Sequence, residues 1–287
     1  MIGTIANAWR RRWWRADAVA LAAFAGRRPI AIITGGSEGI GFALAKKFSR
    51  HGHELLLVAR TPEKLRAAQS AIMARAPAQP VHILPLDLAQ PDAIAALDAE
   101  IDRLGAVCDV LVNSAGIGLS GPFADASEAS AMTLVDLNVR ALTALTRHYL
   151  PPMLVRGQGG ILNLASVGSY GPGPNQAAYY ASKAYVLSLT EAIAHETSGL
   201  GVRVCALAPG PVHTGFHARM GAQHALYRML APTGSADLVA WAGYWGFVLG
   251  ARVVWPGPLA ALAALSMRLM PHRLLSPIMA LLLRPLR

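Results

Sequence analysis

From Ile30 onward, short apolar runs alternate with longer stretches in which apolar residues recur every third or fourth position. Short runs rich in β-branched residues suit strands buried on both faces, and the longer periodic stretches suit the helices that cover them. The pattern predicts strands over 30–33, 55–59, 81–86, 110–112, 161–165 and 202–207, with a seventh over 252–255. Helices fill the gaps, the longest over about 126–150 and about 176–198. This alternation implies an α/β fold: a doubly wound, mostly parallel seven-stranded sheet of Rossmann type with helices on both faces. No internal repeat or low-complexity linker divides the pattern. Residues 30–257 are therefore expected to form one doubly wound domain, with an N-terminal extension (1–29) and a helical C-terminal tail (258–287).

Charge changes the picture at the two ends. The net charge of +10 would suggest nucleic acid if the cations shared a face of the domain. They do not: residues 1–29 carry six arginines against one acid, Asp17, and residues 252–287 carry five arginines against none. Between Ile30 and Ala251 stand 15 basic and 15 acidic residues, so no nucleic-acid partner is expected. Both ends mix arginine with Trp, Leu, Met and Ala, a composition suited to anionic headgroups above an acyl layer. The other reading is a pair of solvated basic tails that also pack on the domain. The segment 238–251 has no polar face at helical spacing, which sets it inside protein, against lipid or against a partner. No uninterrupted apolar run reaches the roughly 20 residues of a spanning helix; 238–267 comes near but contains Arg252 and Pro256. Cys108 and Cys205 match no metal spacing and read as buried thiols of a reducing compartment. The apolar stretch 19–25 is short and follows Asp17, which argues against a cleaved secretory signal. The expected location is cytoplasmic, with peripheral contact on the inner face of a membrane through both termini.

Candidate chemistry lies where predicted strands end. The first runs into Thr34-Gly35-Gly36-Ser37-Glu38-Gly39-Ile40-Gly41, and a helical pattern follows at once. Glycines there permit a tight turn, close approach of backbone to a diphosphate and close helix–sheet packing, while the helix N-terminus offers free N–H groups to the anion. The second strand ends Val58-Ala59-Arg60. An acid at that point would accept both ribose hydroxyls and repel a 2'-phosphate, whereas Arg60 would attract one, so NADP(H) is favoured over NAD(H). Ser166 stands at the carboxyl end of the fifth strand; Tyr179 follows, with Lys183 four residues on and on the same helix face. A nearby ammonium favours the ionised phenol, so Lys183 is expected to lower the pKa of Tyr179. Tyr180 has Ala184 at the corresponding place. His213 and His217 have no acid at a metal-binding spacing, and no metal is expected.

With these pieces in order, residues 29–257 resemble the short-chain dehydrogenase/reductase family in its compact single-domain form. The matching elements are the glycine motif, Asp87 after the third strand, Asn113-Ser114-Ala115-Gly116 after the fourth, Asn138, Ser166, Tyr179 with Lys183, and Pro209-Gly210-Pro211-Val212-His213-Thr214 after the sixth. Ser114 stands where the family usually has asparagine. The resemblance implies that Ser166 hydrogen-bonds the substrate oxygen, that Tyr179 gives or takes its proton, and that Lys183 binds the nicotinamide ribose. It further implies that Asn138 holds a water linking Lys183 to solvent, that Asp87 and Leu88 flank the adenine, and that Asn113, Ala115 and Gly116 support the cofactor. Val212 and Thr214 would hold the nicotinamide carboxamide, and Pro209 and Gly210 would also bind the cofactor. The epimerase and dehydratase branch has a shorter glycine spacing and a larger C-terminal domain, which this chain lacks.

The tail is similar to those of a bacterial subgroup associated with acyl or other lipid-like substrates. The expected activity is thus NADP(H)-dependent reduction of a hydrophobic ketone or 3-oxoacyl compound. Oxidation of steroid- or retinol-like alcohols is the alternative within enzymes, and a non-catalytic NADP-binding scaffold is the alternative outside them. A homo-oligomer, dimer or tetramer, is expected. The segments 117–123, 167–174 and 211–233 are expected to shape the pocket.

Overall fold

The computed structural model describes residues 22–222, 225–227 and 233–284. Most of the N-terminal extension, with Trp9, Trp13 and Trp14, lies outside the described residues. Seven strands form one sheet in the order β3-β2-β1-β4-β5-β6-β7. They are β1 (Arg28–Thr34), β2 (Glu54–Ala59), β3 (Val81–Pro85), β4 (Ala106–Asn113), β5 (Gly159–Leu164), β6 (Val202–Leu207) and β7 (Val253–Val254). Every described pairing is parallel. The expected 252–255 strand is reduced to two residues.

In β1 the continuous apolar run divides by parity. Ala31 and Ile33 face a layer made by α1 (Gly39–Arg50), α2 (Pro62–Met73) and α8 (Ala236–Val248). Ile30 and Ile32 face α3 (Ala93–Arg103), α5 (Leu142–Arg156) and α6 (Ala177–Glu196). Burial on both faces is why the strands read as unbroken apolar runs rather than alternating ones.

The helix expected over 126–150 is longer and is interrupted. It comprises α4 (Glu128–Val135), a wide π turn (Asp136–Ala141) and α5, which runs through Pro151 and Pro152 to a left-handed Gly157. The wide turn carries Asn138 and buries it. Such turns insert a residue into the helical ladder and re-aim a side chain.

Residues 238–251, apolar all round, resolve into two faces of α8. Val239, Ala240, Tyr244 and Phe247 are buried in the core, with Tyr244 edge-on to Phe48 at 5.0 Å, while Leu238, Trp241, Trp245 and Leu249 stay exposed. After β7 come α9 (Pro258–Leu269) and α10 (His272–Leu282), separated from α8 by the short helix-free stretch that holds β7 and preceded, after β6, by the one-turn α7 (Phe216–Arg219). Met267 of α9 and Leu275 and Met279 of α10, with Leu283 beyond it, pack on Tyr180, and Tyr179 borders the same cluster. The tail therefore folds back over the carboxyl ends of the strands. Among the described residues no helix is long and apolar enough to cross a membrane.

Candidate active site

A cavity of about 580 Å³ opens at the carboxyl ends of the strands, where the strand order reverses between β1 and β4. That reversal separates neighbouring loops and leaves a crevice, the usual ligand site of open parallel sheets.

Its floor is the turn from β1 to α1. Gly35 has φ +65°, and a Cβ there would stand 3.0 Å from the Ala115 backbone; a Cβ on Gly41 would stand 2.3 Å from the carbonyl oxygen of Gly35. Neither position admits a larger residue without moving the main chain. The first turn of α1 contains no acid, and Glu38 at its N-cap places no side-chain bond on the free N–H groups. Glu38 instead binds Lys64 (3.0 Å) and Arg219 (2.7 Å), tying the turn to α2 and α7. An uncapped N-terminus beside Arg60 and Lys64 suits an anion with two separated phosphate positions.

The structure brings Gly35, Ser37, Glu38, Gly39, Ile40, Gly41, Arg60, Asp87, Leu88, Ala115, Gly116, Ser166, Tyr179, Lys183, Pro209, Gly210, Val212 and Thr214 to this one cavity. Four predicted residues stand behind its wall. Thr34 Oγ1 donates to the Val112 carbonyl (3.2 Å) and accepts from the Ser114 (3.0 Å) and Ala115 (3.1 Å) N–H groups, pinning the β4 turn to β1. Gly36 lets the turn pass 2.9 Å, measured from its would-be Cβ, above the Ile33 carbonyl. Asn113 Nδ2 donates to Thr146 (3.1 Å) and to Asn163 (2.9 Å), and Asn163 Nδ2 donates in turn to Thr190 (3.0 Å). This buried polar ladder crosses β4 and β5. Asn138 Nδ2 donates to the Ile117 carbonyl (2.8 Å) and Ser182 (3.1 Å), and its Oδ1 accepts from the Ile117 N–H (2.9 Å). Both of its amide protons are thus committed to protein, fastening the β4 loop to α6.

Ser166 caps the short turn after β5: its Oγ accepts from the Gly168 N–H at 3.0 Å, which leaves the hydroxyl proton free to donate. Tyr179 and Lys183 lie on one face of α6 as their spacing predicts, with Lys183 Nζ 5.9 Å from the Tyr179 ring centroid. The electrostatics depart from expectation. Burial raises the Tyr179 phenol to about 12, opposed by a hydrogen bond with Ser166 and reinforced slightly by Tyr227. Burial also pushes Lys183 down to about 8 while its Nζ donates to the Leu164 carbonyl at 2.7 Å. Loss of water disfavours the charged form of each group and is the largest cause of both shifts. Tyr179 is therefore held as the neutral phenol, the proton-donating form.

The remaining wall was not foreseen. Besides the loops expected to shape the pocket, Met267, Met270, Leu275, Met279 and Leu282 of the tail line it. Gly171 admits them, since a Cβ there would stand 2.5 Å from Leu275 Cδ2. Tyr227 donates to or accepts from His217 Nδ1 at 2.8 Å at the cavity edge, and His213 pairs with Thr233.

A family model described as short chain dehydrogenase matches residues 29–225. The chain belongs to the short-chain dehydrogenase/reductase family. It is an oxidoreductase of the kind that interconverts CH–OH and C=O. Sulfoacetaldehyde reductase 2 of Chromohalobacter salexigens is 34% identical over 216 residues, 73% of this chain and 84% of that protein. A short-chain dehydrogenase from Sphingobium yanoikuyae, solved with NADPH, shares 32% identity at TM-score 0.74, covering 83% of this chain and 92% of that one. The bulky-bulky ketone specific alcohol dehydrogenase of Comamonas testosteroni shares 27% identity at TM-score 0.71, covering 88% and 94%. The family model ends before α8, so the two tail helices of this short-chain dehydrogenase/reductase lie beyond it.

Proposed function

We propose that this enzyme is an NADP(H)-dependent reductase of hydrophobic ketones, 3-oxoacyl compounds or similar lipid-like carbonyls. The supporting observation is the continuity of one cavity, which runs from the uncapped α1 N-terminus and Arg60, past Ser166 and Tyr179, to the Met- and Leu-lined underside of α9 and α10. The NADPH complex of the Sphingobium relative agrees with the first half of that reading, and the bulky ketones named for the Comamonas relative agree with the second.

The residues present fit the dinucleotide. The α1 N–H groups would hold its diphosphate, Arg60 and Lys64 the 2'-phosphate, Asp87 and Leu88 the adenine surroundings, and Lys183 the nicotinamide ribose. When bound, it supplies the hydride. The protein's own part is position and proton supply. The Ser166 hydroxyl donates to the carbonyl oxygen and fixes it beside Tyr179; the neutral phenol then gives its proton as negative charge develops on that oxygen. Apolar residues from α9 and α10 exclude water and receive the remainder of the substrate. We place the enzyme in the cytoplasm at a membrane surface, and place self-association at the exposed row Leu238, Trp241, Trp245 and Leu249 on α8.

The test is NADPH consumption with ketones of rising chain length and bulk. The proposal expects NADPH to outperform NADH and kcat/KM to rise with apolar area. A preference for small charged aldehydes would overturn the substrate class while leaving the reductase chemistry in place.

A further inference from the structure

We propose that α9 and α10 dock in the plane of an anionic lipid bilayer and that the catalytic cavity opens between them, so that substrate reaches Tyr179 directly from the acyl layer; this rests on the hydrophobic-carbonyl reading above. Each helix has two apolar faces. Inward, Ala260, Ala264 and Met267 of α9 and Leu275 and Met279 of α10 are buried. Outward, Leu259, Leu262, Leu265 and Leu269 recur along α9 and Leu274, Ile278 and Leu281 along α10, all between 46% and 72% exposed. A helix that only roofed a pocket would carry polar residues on its solvent side. Seven large apolar side chains on two consecutive helices form a patch of the kind that marks a partner or lipid surface.

Charge selects the occupant. Arg268, Arg273 and Arg284 stand exposed along the same segment, and residues 252–287 contain no acid. A second copy meeting this face across a two-fold axis would oppose arginine to arginine. The chain's own first 29 residues, with six arginines and one acid, are no better matched. Anionic headgroups are complementary, each arginine near such a surface contributing about 1 kcal/mol. At 12 and 11 residues the helices are about 18 Å long, too short for a hydrocarbon core of about 30 Å, so they lie along the surface rather than cross it. The opening is marked by Ser266 and Ile278: both are exposed on the outer side and both line the cavity.

The test uses the full chain and a triple variant, Leu262→Gln, Leu269→Gln and Leu281→Gln, none of which lines the cavity. Vesicles are phosphatidylcholine alone or mixed with phosphatidylglycerol, and activity is read with a short water-soluble ketone and with a long-chain ketone dissolved in the vesicles. The wild type should sediment with the mixed vesicles and less with the neutral ones. The variant should lose partitioning by on the order of a hundredfold, from the lost burial of three leucine side chains, and lose turnover of the vesicle-dissolved ketone in step. Its NADPH affinity and its rate on the soluble ketone should stay as in the wild type, which controls for folding. Three results would overturn the proposal: indifference of the wild type to mixed vesicles, partitioning or vesicle-ketone turnover unchanged in the variant, or a wild-type oligomer that the variant dissociates. A wild type that binds mixed vesicles but reduces neither ketone would sink the reductase reading and the access route with it, leaving the lipid surface supported.

Discussion

Replacing Lys183 with methionine should abolish useful turnover yet make the cofactor-free protein more stable. The lysine is 5% exposed, and burial alone holds it at about 8 against an ordinary 10.5. At about 1.4 kcal/mol per pKa unit, carrying that charge weakens the fold by ~3 kcal/mol at neutral pH. Methionine is close in length, removes the charge and gives up one hydrogen bond to the Leu164 carbonyl, a loss of about 1.5–3 kcal/mol for a charged donor if nothing replaces it. The net gain is then ~1 kcal/mol, or roughly 2–4 °C in melting temperature for a domain of this size. The sign of the pH dependence follows from a folded-state pKa below the unfolded one. The neutral lysine's contribution is complete above about 10.5 and is lost as pH falls through about 8. The variant's advantage in melting temperature should therefore be present at neutral pH, shrink as pH rises through that window and reverse above it, where only the lost hydrogen bond to Leu164 still counts. The difference is the quantity to read, because the buried Cys108 and Cys205 thiols, both raised by burial, make every version less stable as the unfolded thiols ionise in the same range. A variant less stable at neutral pH, or a gap that does not change with pH, would refute the account.

Tyr179→Phe should retain the fold and NADPH affinity in a binding titration while kcat falls by about two to four orders of magnitude, since only the transferable proton is removed. Near-normal turnover would assign that proton to another group. Arg60→Ala should raise the NADPH Kd by about one to two orders of magnitude, corresponding to a charge-assisted phosphate contact, and leave NADH nearly unaffected; an equal loss for both cofactors would mean that Arg60 acts on something other than the 2'-phosphate. Gly171→Ala should displace Leu275, 2.5 Å from the new methyl group, and raise KM for long hydrophobic ketones more than for short ones, with NADPH binding as the unaffected control.

The positions of the strands, the glycine turn and the Tyr179–Lys183 face were legible because each depends on short-range rules. Strand runs such as Ile30 to Ile33 are apolar at every position, as burial on both faces requires, and four residues of helix bring two side chains to one side whatever surrounds them. The family pattern then located Asn138 and Asn113 without giving the partners of their side chains. A polar ladder through Thr146, Asn113, Asn163 and Thr190 joins residues far apart in sequence and has no local signature.

The protonation of the Tyr179–Lys183 pair was decided by tertiary structure for the same reason. Spacing alone sets Lys183 near Tyr179, but the shift of each group depends on how much water the surrounding chain removes, and here desolvation is the largest cause of both. The tail gives the sharpest contrast. Its composition already announced an apolar, basic segment with arginines set among leucines. Which side faces the cavity was not visible, because two apolar faces are equivalent until one is covered. Contact with Tyr180 and the space left by Gly171 made that choice, and so turned a tail beyond the matched part of the chain into a wall of its active site.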